Sequence, residues 1–296
     1  MRINTIYAVF LATAVMACTA SAQSARGENL EKYCTMERIR SKSGWLVSDN
    51  AAGLIFNRAS LSTADVSYDF EEGGLRNVGD AARTHKTGIQ SESFQRWDRL
   101  SFYGKLGYDY TAGSDRNWAG NTHLYTSPMN VGDSVPGNTR NETYLLKAGV
   151  AYQMGNWVIG LQGEYENQSL AKRRDARNKT TYMHLSVRPG VMFTSKTVDA
   201  GLNFTYERTT ETVNYLSFGT NEQAIPLYLF EGLWFYMAEL VPSGSNSNPI
   251  HYKESEYGGA AQFELKFSPR VSLFNQFSAI YGKMERYHLE EDEHLG

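Results

Sequence analysis

The chain has 296 residues and a formal net charge of −3, a balance that argues against nucleic acid as a partner. Aromatic residues make up 13% of it, with 19 Tyr, and 26 residues are Gly. Beyond the N-terminal segment no run approaches the roughly 18 consecutive apolar residues of a transmembrane helix, so membrane helices are not expected.

The chain opens MRINTIYAVFLATAVMACTASAQ. Arg2 precedes an apolar run from Ile6 to Ala17, and Ala20-Ser21-Ala22 offers a small-residue cleavage site. This is the pattern of a secretory signal peptide over 1–22, too short to span a bilayer. A lipobox ending at Cys18 is the rival reading, and Met16 fits its middle position poorly. Cleavage after Ala22 leaves Cys34 as the single cysteine, so no internal disulfide is expected. Residues 23–50 read as a short helix and loop, a periplasmic or plug segment entering a lumen, with EKYCTMERIR as the helical turn.

From 51 to 296 the chain reads as strands. GLIFNRASLSTADVSYDFEEGG holds a strand around Thr63–Phe70, and GIQSESFQRW a second around Gly88–Gln95. Then apolar and polar residues alternate. Phe102, Leu106, Tyr108 and Tyr110 alternate with Lys105 and Asp109; Tyr144, Leu146, Ala148, Val150 and Tyr152 with Lys147 and Gln153. Trp157, Ile159, Leu161 and Tyr165 alternate with Gln162, Glu164 and Glu166; Met183, Leu185 and Val187 with His184, Ser186 and Arg188. Val198, Leu202, Phe204 and Tyr206 alternate with Asp199, Asn203 and Glu207; Phe263, Leu265 and Phe267 with Gln262, Glu264 and Lys266. In the last run, VSLFNQFSAIYGK, Phe274 and Ile280 fall on the otherwise polar face. Period two over so many segments is a strand signal, and each run of about ten residues suits a tilted strand crossing a bilayer.

The connections carry more information. MGN (154–156), TSKT (194–197) and SPR (268–270) are short turns, whereas 111–142, 167–180 and 209–256 are long and polar. Tight turns at one end and long loops at the other are the wiring of an outer-membrane barrel, and aromatic residues at the ends of the apolar sets suit a lipid–water boundary. The expected fold is therefore all-β, an antiparallel transmembrane β-barrel of the outer-membrane type with a short N-terminal plug. About nine strands is an odd count, and YHLEEDEHLG lacks a closing amphipathic strand, so an incomplete barrel is expected.

In LAKRRDARNKTTYMHLSVRPGVMF (170–193) the chain resembles an outer-membrane β-barrel family of Bacteroidota of unknown function. That family carries an early Asn-Ala-Ala-Gly-Leu, matched by Asn50 to Leu54, and a K-x-R-D-P-R loop, matched by Lys172, Arg173, Arg174, Asp175 and Arg177, with Ala176 at the proline position. The resemblance runs from about Trp45 to the end. It implies an outer-membrane location, a barrel longer than this chain, and no catalytic residues. A weaker similarity is to FadL-type hydrophobic-substrate transporters, whose Asn-Pro-Ala motif Asn50-Ala51-Ala52 lacks in its proline.

Alternation sends Lys147, Gln162, Glu164, His184, Arg188, Asn203, Glu207, Glu264 and Lys266 to the lumen, the candidates for lining a solute path. Lys172, Arg173, Arg174, Arg177 and Lys179 put five basic residues in one predicted extracellular loop, candidates for an anion or lipopolysaccharide phosphate. His184 and Ser186, two apart on one face, invite comparison with outer-membrane phospholipases, which need an orienting Asn; Asn203 is the candidate. Folding the hairpin about TSKT pairs His184 with Glu207 instead, and alternation turns His184 from the bilayer, so catalysis is not expected. The terminal His288, Glu290, Glu291, Asp292 and His294 read as a solvated acidic end. AIPLYLFEGLWFYMAELV (224–241) is apolar for a surface loop and reads as packed structure, with partner docking as the alternative. Neither cofactor nor metal is expected. The expected partners are outer-membrane lipid, with lipopolysaccharide or another outer-membrane protein beyond it. The expected role is non-enzymatic: binding or passing a small solute or lipid, or assisting an outer-membrane complex, with FadL-like transport as the alternative.

Overall fold

The computed structural model describes residues 36–40, 43–58, 60–125, 129–218, 224–232, 235–268 and 271–288. The expected signal peptide, Cys18, Cys34 and the acidic end from Glu290 lie outside the described residues, as does most of the SPR turn.

The chain enters through α1 (Met36–Arg40), α2 (Gly44–Val47) and a 3₁₀ segment (Ala51–Phe56). Twelve strands follow: β1 (Leu61–Glu72), β2 (Arg83–Trp97), β3 (Leu100–Arg116), β4 (Val131–Asp133), β5 (Gly137–Met154), β6 (Trp157–Lys172), β7 (Arg177–Thr194), β8 (Val198–Leu216), β9 (Ile225–Phe230), β10 (Tyr236–Val241), β11 (Ile250–Ser268) and β12 (Val271–His288). Nine of them form one antiparallel sheet in the order β1-β2-β3-β5-β6-β7-β8-β11-β12, and β10-β9-β4 form a second, small sheet. The nine are those expected, and among the described residues β1 and β12 do not pair, so the sheet is open.

The alternation is inside out. In β8 the exposed positions are Val198, Ala200, Leu202 and Phe204, while Asp199, Gly201, Asn203 and Thr205 between them are buried. A soluble sheet buries its apolar face; this one turns it outward, with Leu202 61% and Phe277 66% exposed. Rings edge the band: Tyr144 and Tyr152 on β5, Trp157 and Tyr165 on β6, Tyr257 and Phe267 on β11. From Tyr144 to Tyr152 the strand rises roughly 26 Å, which at a tilt of about 40° covers roughly 20 Å of the apolar band. The fold is an antiparallel barrel wall of the outer-membrane type, open in this chain.

Three details differ from the sequence reading. The central strands run 15 to 19 residues, not about ten. The expected loop 167–180 shrinks to four residues, 173–176, between β6 and β7, and the loop 111–142 to 117–136. Above the lipid band the outward residues, such as Ser169, Thr181, Thr210 and Thr212, face water and need not be apolar. The alternation therefore fades there while the backbone ladder continues. Finally, β7 and β8 pair His184 with Thr209 and Ser186 with Glu207, two residues from the expected register. A slip of two keeps every side chain on its face.

The turns gather at one end: Asp98-Arg99, Gly155-Asn156 and 195–197. Gly155 adopts φ 62°, the positive value a two-residue hairpin loop requires at its first position. At the opposite end the packed structure expected of 224–241 takes the form of a strand pair, β9 and β10, joined by β4 into a cap. Val131, Leu227 and Leu229 are fully buried there against Val213, Tyr215, Ile250 and Tyr252 of the wall.

Candidate functional site

The concave face of the wall is occupied at its turn end. The N-terminal segment packs Met36, Ile39, Trp45, Ala52, Leu54 and Ile55 onto Phe94, Tyr103, Ala151, Val158 and Met192. This plug runs through Phe56, past the boundary at residue 50 drawn from sequence. Trp45 stacks 6.0 Å from Phe56 and meets Phe274 edge-on at 5.4 Å, which accounts for an aromatic residue on the polar face of β12. The Trp45 indole donates to Glu264 Oε2 at 2.9 Å.

Asn50 is the pin. Its side-chain oxygen accepts the Ala52 N–H at 3.0 Å, starting the 3₁₀ turn as an N-cap. Its amide Nδ2 lies within bonding distance of Val191 O (3.1 Å), Leu202 O (3.2 Å) and Gln262 Oε1 (3.1 Å). So one side chain ties the plug to β7, β8 and β11. The wall is stripped to backbone where it receives this segment. A Cβ on Gly160 would strike the backbone of Ala51 and Ala52, one on Gly190 the Asn50 amide, and one on Gly201 the Trp45 ring at 2.9 Å. The Asn-Ala-Ala-Gly-Leu element is thus a plug-seating device, and sequence reasoning had no local signal for that.

The lumen candidates divide by what they touch. Arg188 forms ion pairs with Glu207 (2.6 Å) on the wall and Asp49 (3.5 Å) on the plug. Glu264 holds Trp45, and Asn203 accepts from Gln262 Nε2 at 2.6 Å, one step from Asn50. Gln162 lies opposite Arg188 on the neighbouring strand. Lys266 pairs with Asp199 at 2.7 Å near the turns, and Lys147 with Glu164 at 3.0 Å above the plug. Sequence reasoning did not find the buried Glu92, which accepts from Tyr103 Oη at 2.8 Å and pairs with the plug's Arg40. The supposed catalytic trio is not assembled. His184 Nδ1 bonds Thr209 Oγ1 at 3.0 Å, Ser186 donates to Glu207 at 3.2 Å, and Asn203 lies opposite Gly190.

The basic loop also divides. Arg173, Arg174 and Lys179 are exposed. Lys172 is buried, its ammonium on Asp133 of β4 at 2.5 and 2.6 Å, so it fastens the cap and is withdrawn from any external anion. Burial pushes the Asp133 carboxyl above its ordinary range and the Lys172 ammonium below its own; each charge partly offsets the other's shift. Arg177 pairs with Asp175 at 3.0 Å and lies 4.1 Å over the Phe218 ring. No group of three or more His, Cys, Asp or Glu side chains able to hold a metal is found among the described residues. No described helix is long and apolar enough to cross a membrane, which leaves crossing by strands untouched.

The plugged, capped antiparallel wall defines the class. A family model described as a family of unknown function, DUF6850, matches residues 51–294, and the chain belongs to that family. No curated protein matches the chain. Among solved structures, the ferric yersiniabactin uptake receptor FyuA from Yersinia pestis is similar at 9% identity and a TM-score of 0.44, over 75% of this chain and 38% of that receptor. The chain spans well under half of that receptor's length.

Proposed function

We propose that this is the wall of a non-enzymatic outer-membrane barrel, exported by a cleaved signal peptide, which binds a small polar solute above a fixed plug. On this reading it is no open pore. The plug seat carries the reading: the Asn50 amide lies within bonding distance of three strands, and bare glycines receive the Ala51–Ala52 backbone and the Asn50 and Trp45 side chains. The side chains left above the plug are polar, with Lys147, Glu164, His184 and Glu254 facing inward, which favours a polar solute over the acyl substrate of a FadL-type transporter. An accessory role in an outer-membrane complex is the companion reading, supported by the exposed Tyr236, Met237 and Leu240 on the cap. The bonding of Ser186 to Glu207 and of His184 to Thr209 supports leaving hydrolysis aside.

Planar-bilayer recording of the protein tests the reading. The wild type is expected to give no steady conductance. Gly160→Leu, whose side chain overlaps the Ala51–Ala52 backbone, is expected to produce opening events. A wild type that conducts continuously overturns it.

A further inference from the structure

The outer face of the wall is not even. Between Leu202 and Phe204 of β8 and Phe277 of β12 a groove of about 810 Å³ crosses β11. Its floor is shallow because Gly259, Ala261 and Ala279 stand where the rest of the band carries long apolar side chains. Register puts this groove on the lipid side. Val191, Leu202, Ala261 and Phe277 are successive partners across β7, β8, β11 and β12, and so are Phe204, Gly259 and Ala279 across the last three. Phe277 stacks on Phe263 at 6.1 Å, which fixes that wall of the groove.

The groove is continuous with the apolar band, and the apolar chains that meet this face are lipid acyl chains. Left unfilled, it forfeits dispersion contacts along its lining. It also has a polar end. One step toward the cap, Tyr206, Tyr257 and Tyr281 stand side by side, the first two rings 5.2 Å apart. Such a row marks the lipid–water boundary. The next outward row, at headgroup level, is Arg208, Ser255 and Lys283. Arg208 forms no ion pair among the described residues and donates to the Ser255 hydroxyl at 3.4 Å. Lys283 pairs with Glu285, which has Lys253 opposite it on β11, so three cations meet one carboxylate. The Arg208 row stands about 13 Å along the strand from Gly259, the reach from a lipid phosphate into its acyl chain. Positive charge above an apolar groove complements a lipid that carries phosphate.

We propose that β8, β11 and β12 hold one phosphate-bearing lipid on their outer face, an acyl chain in the groove and the phosphate on Arg208 and Lys283. The site lies outside the lumen and does not depend on the solute-binding role. Native mass spectrometry of the detergent-solubilised full chain, titrated with lipid A bearing both phosphates, tests it. Wild type is expected to retain a single lipid A. Arg208→Gln with Lys283→Gln is expected to lower that occupancy about tenfold. Ala261→Phe with Ala279→Phe fills the groove with apolar rings, keeps every charge, and is expected to lower it as far. All four positions point outward, away from the plug and its contacts. No retained lipid A, either double variant within about twofold of wild type, or equal retention of lipid A stripped of its phosphates overturns the site. Displacement by equimolar inorganic phosphate overturns it too, because a free anion has no use for the groove.

Discussion

Asn50 concentrates more of the architecture than any other side chain described. It is 2% exposed, and its amide spends every polar atom on the plug or the wall. Asn50→Ala strands two strand carbonyls and a backbone N–H in a site closed to water. The expected loss is about 3 kcal/mol, read from urea unfolding in lipid vesicles, with the change in midpoint and not in slope. None of this was legible locally. Asn50-Ala51-Ala52 announces a cap and a tight turn, but its partners are carbonyls 141 and 152 residues away, a relation that strand periodicity does not encode. Phe274 is the converse case. Its place on a polar face looked like a blemish in the pattern and instead marked where the plug's Trp45 would lie.

Among the elements, the strands that cross the apolar band were readable because each residue there has only two choices, lipid or interior. Where the ladder climbs into water on its outer side the constraint lapses, and β6 and β7 continue unannounced to Lys172 and from Arg177. The small sheet β4-β9-β10 was half legible: the apolar run of 224–241 pointed to packed structure, yet the three residues of β4 gave no period to detect. Its attachment to the wall through Lys172 and Asp133 yields a prediction at this scale. Lys172→Met alone leaves a carboxylate buried without its cation, and is expected to cost about 3–5 kcal/mol. Adding Asp133→Leu is expected to recover that loss. The sign of the pH dependence follows from the two shifts. A raised carboxyl favours the folded state on the acid side and loses that contribution as pH rises through its folded pKa. A lowered ammonium favours the fold on the alkaline side and loses its contribution as pH falls. The ionised pair therefore contributes least near neutrality, and the double apolar variant is expected to gain most over wild type there, with the gap narrowing towards pH 4.

For the whole molecule, the decisive property is which solvent meets the outer face. Trp157 is 54% exposed within the ring of aromatic residues at the turn end, whereas Trp45 is 1% exposed beneath the wall. In vesicles of brominated lipid, a variant retaining only Trp157 is expected to lose a large fraction of its fluorescence, and one retaining only Trp45 almost none. Equal quenching of both would contradict the plugged wall, and no quenching of either would contradict immersion in lipid.

The plug also sets an order of events. It precedes every described strand, yet the groups that hold it belong to β7, β8 and β11, with Gln262 lying 212 residues downstream of Asn50. Closing so long a loop has to wait until those strands stand side by side, because a seat made from several strands does not exist on any one of them. The segment that precedes these strands is thus seated after them, and its docking reports that β11 has joined the wall.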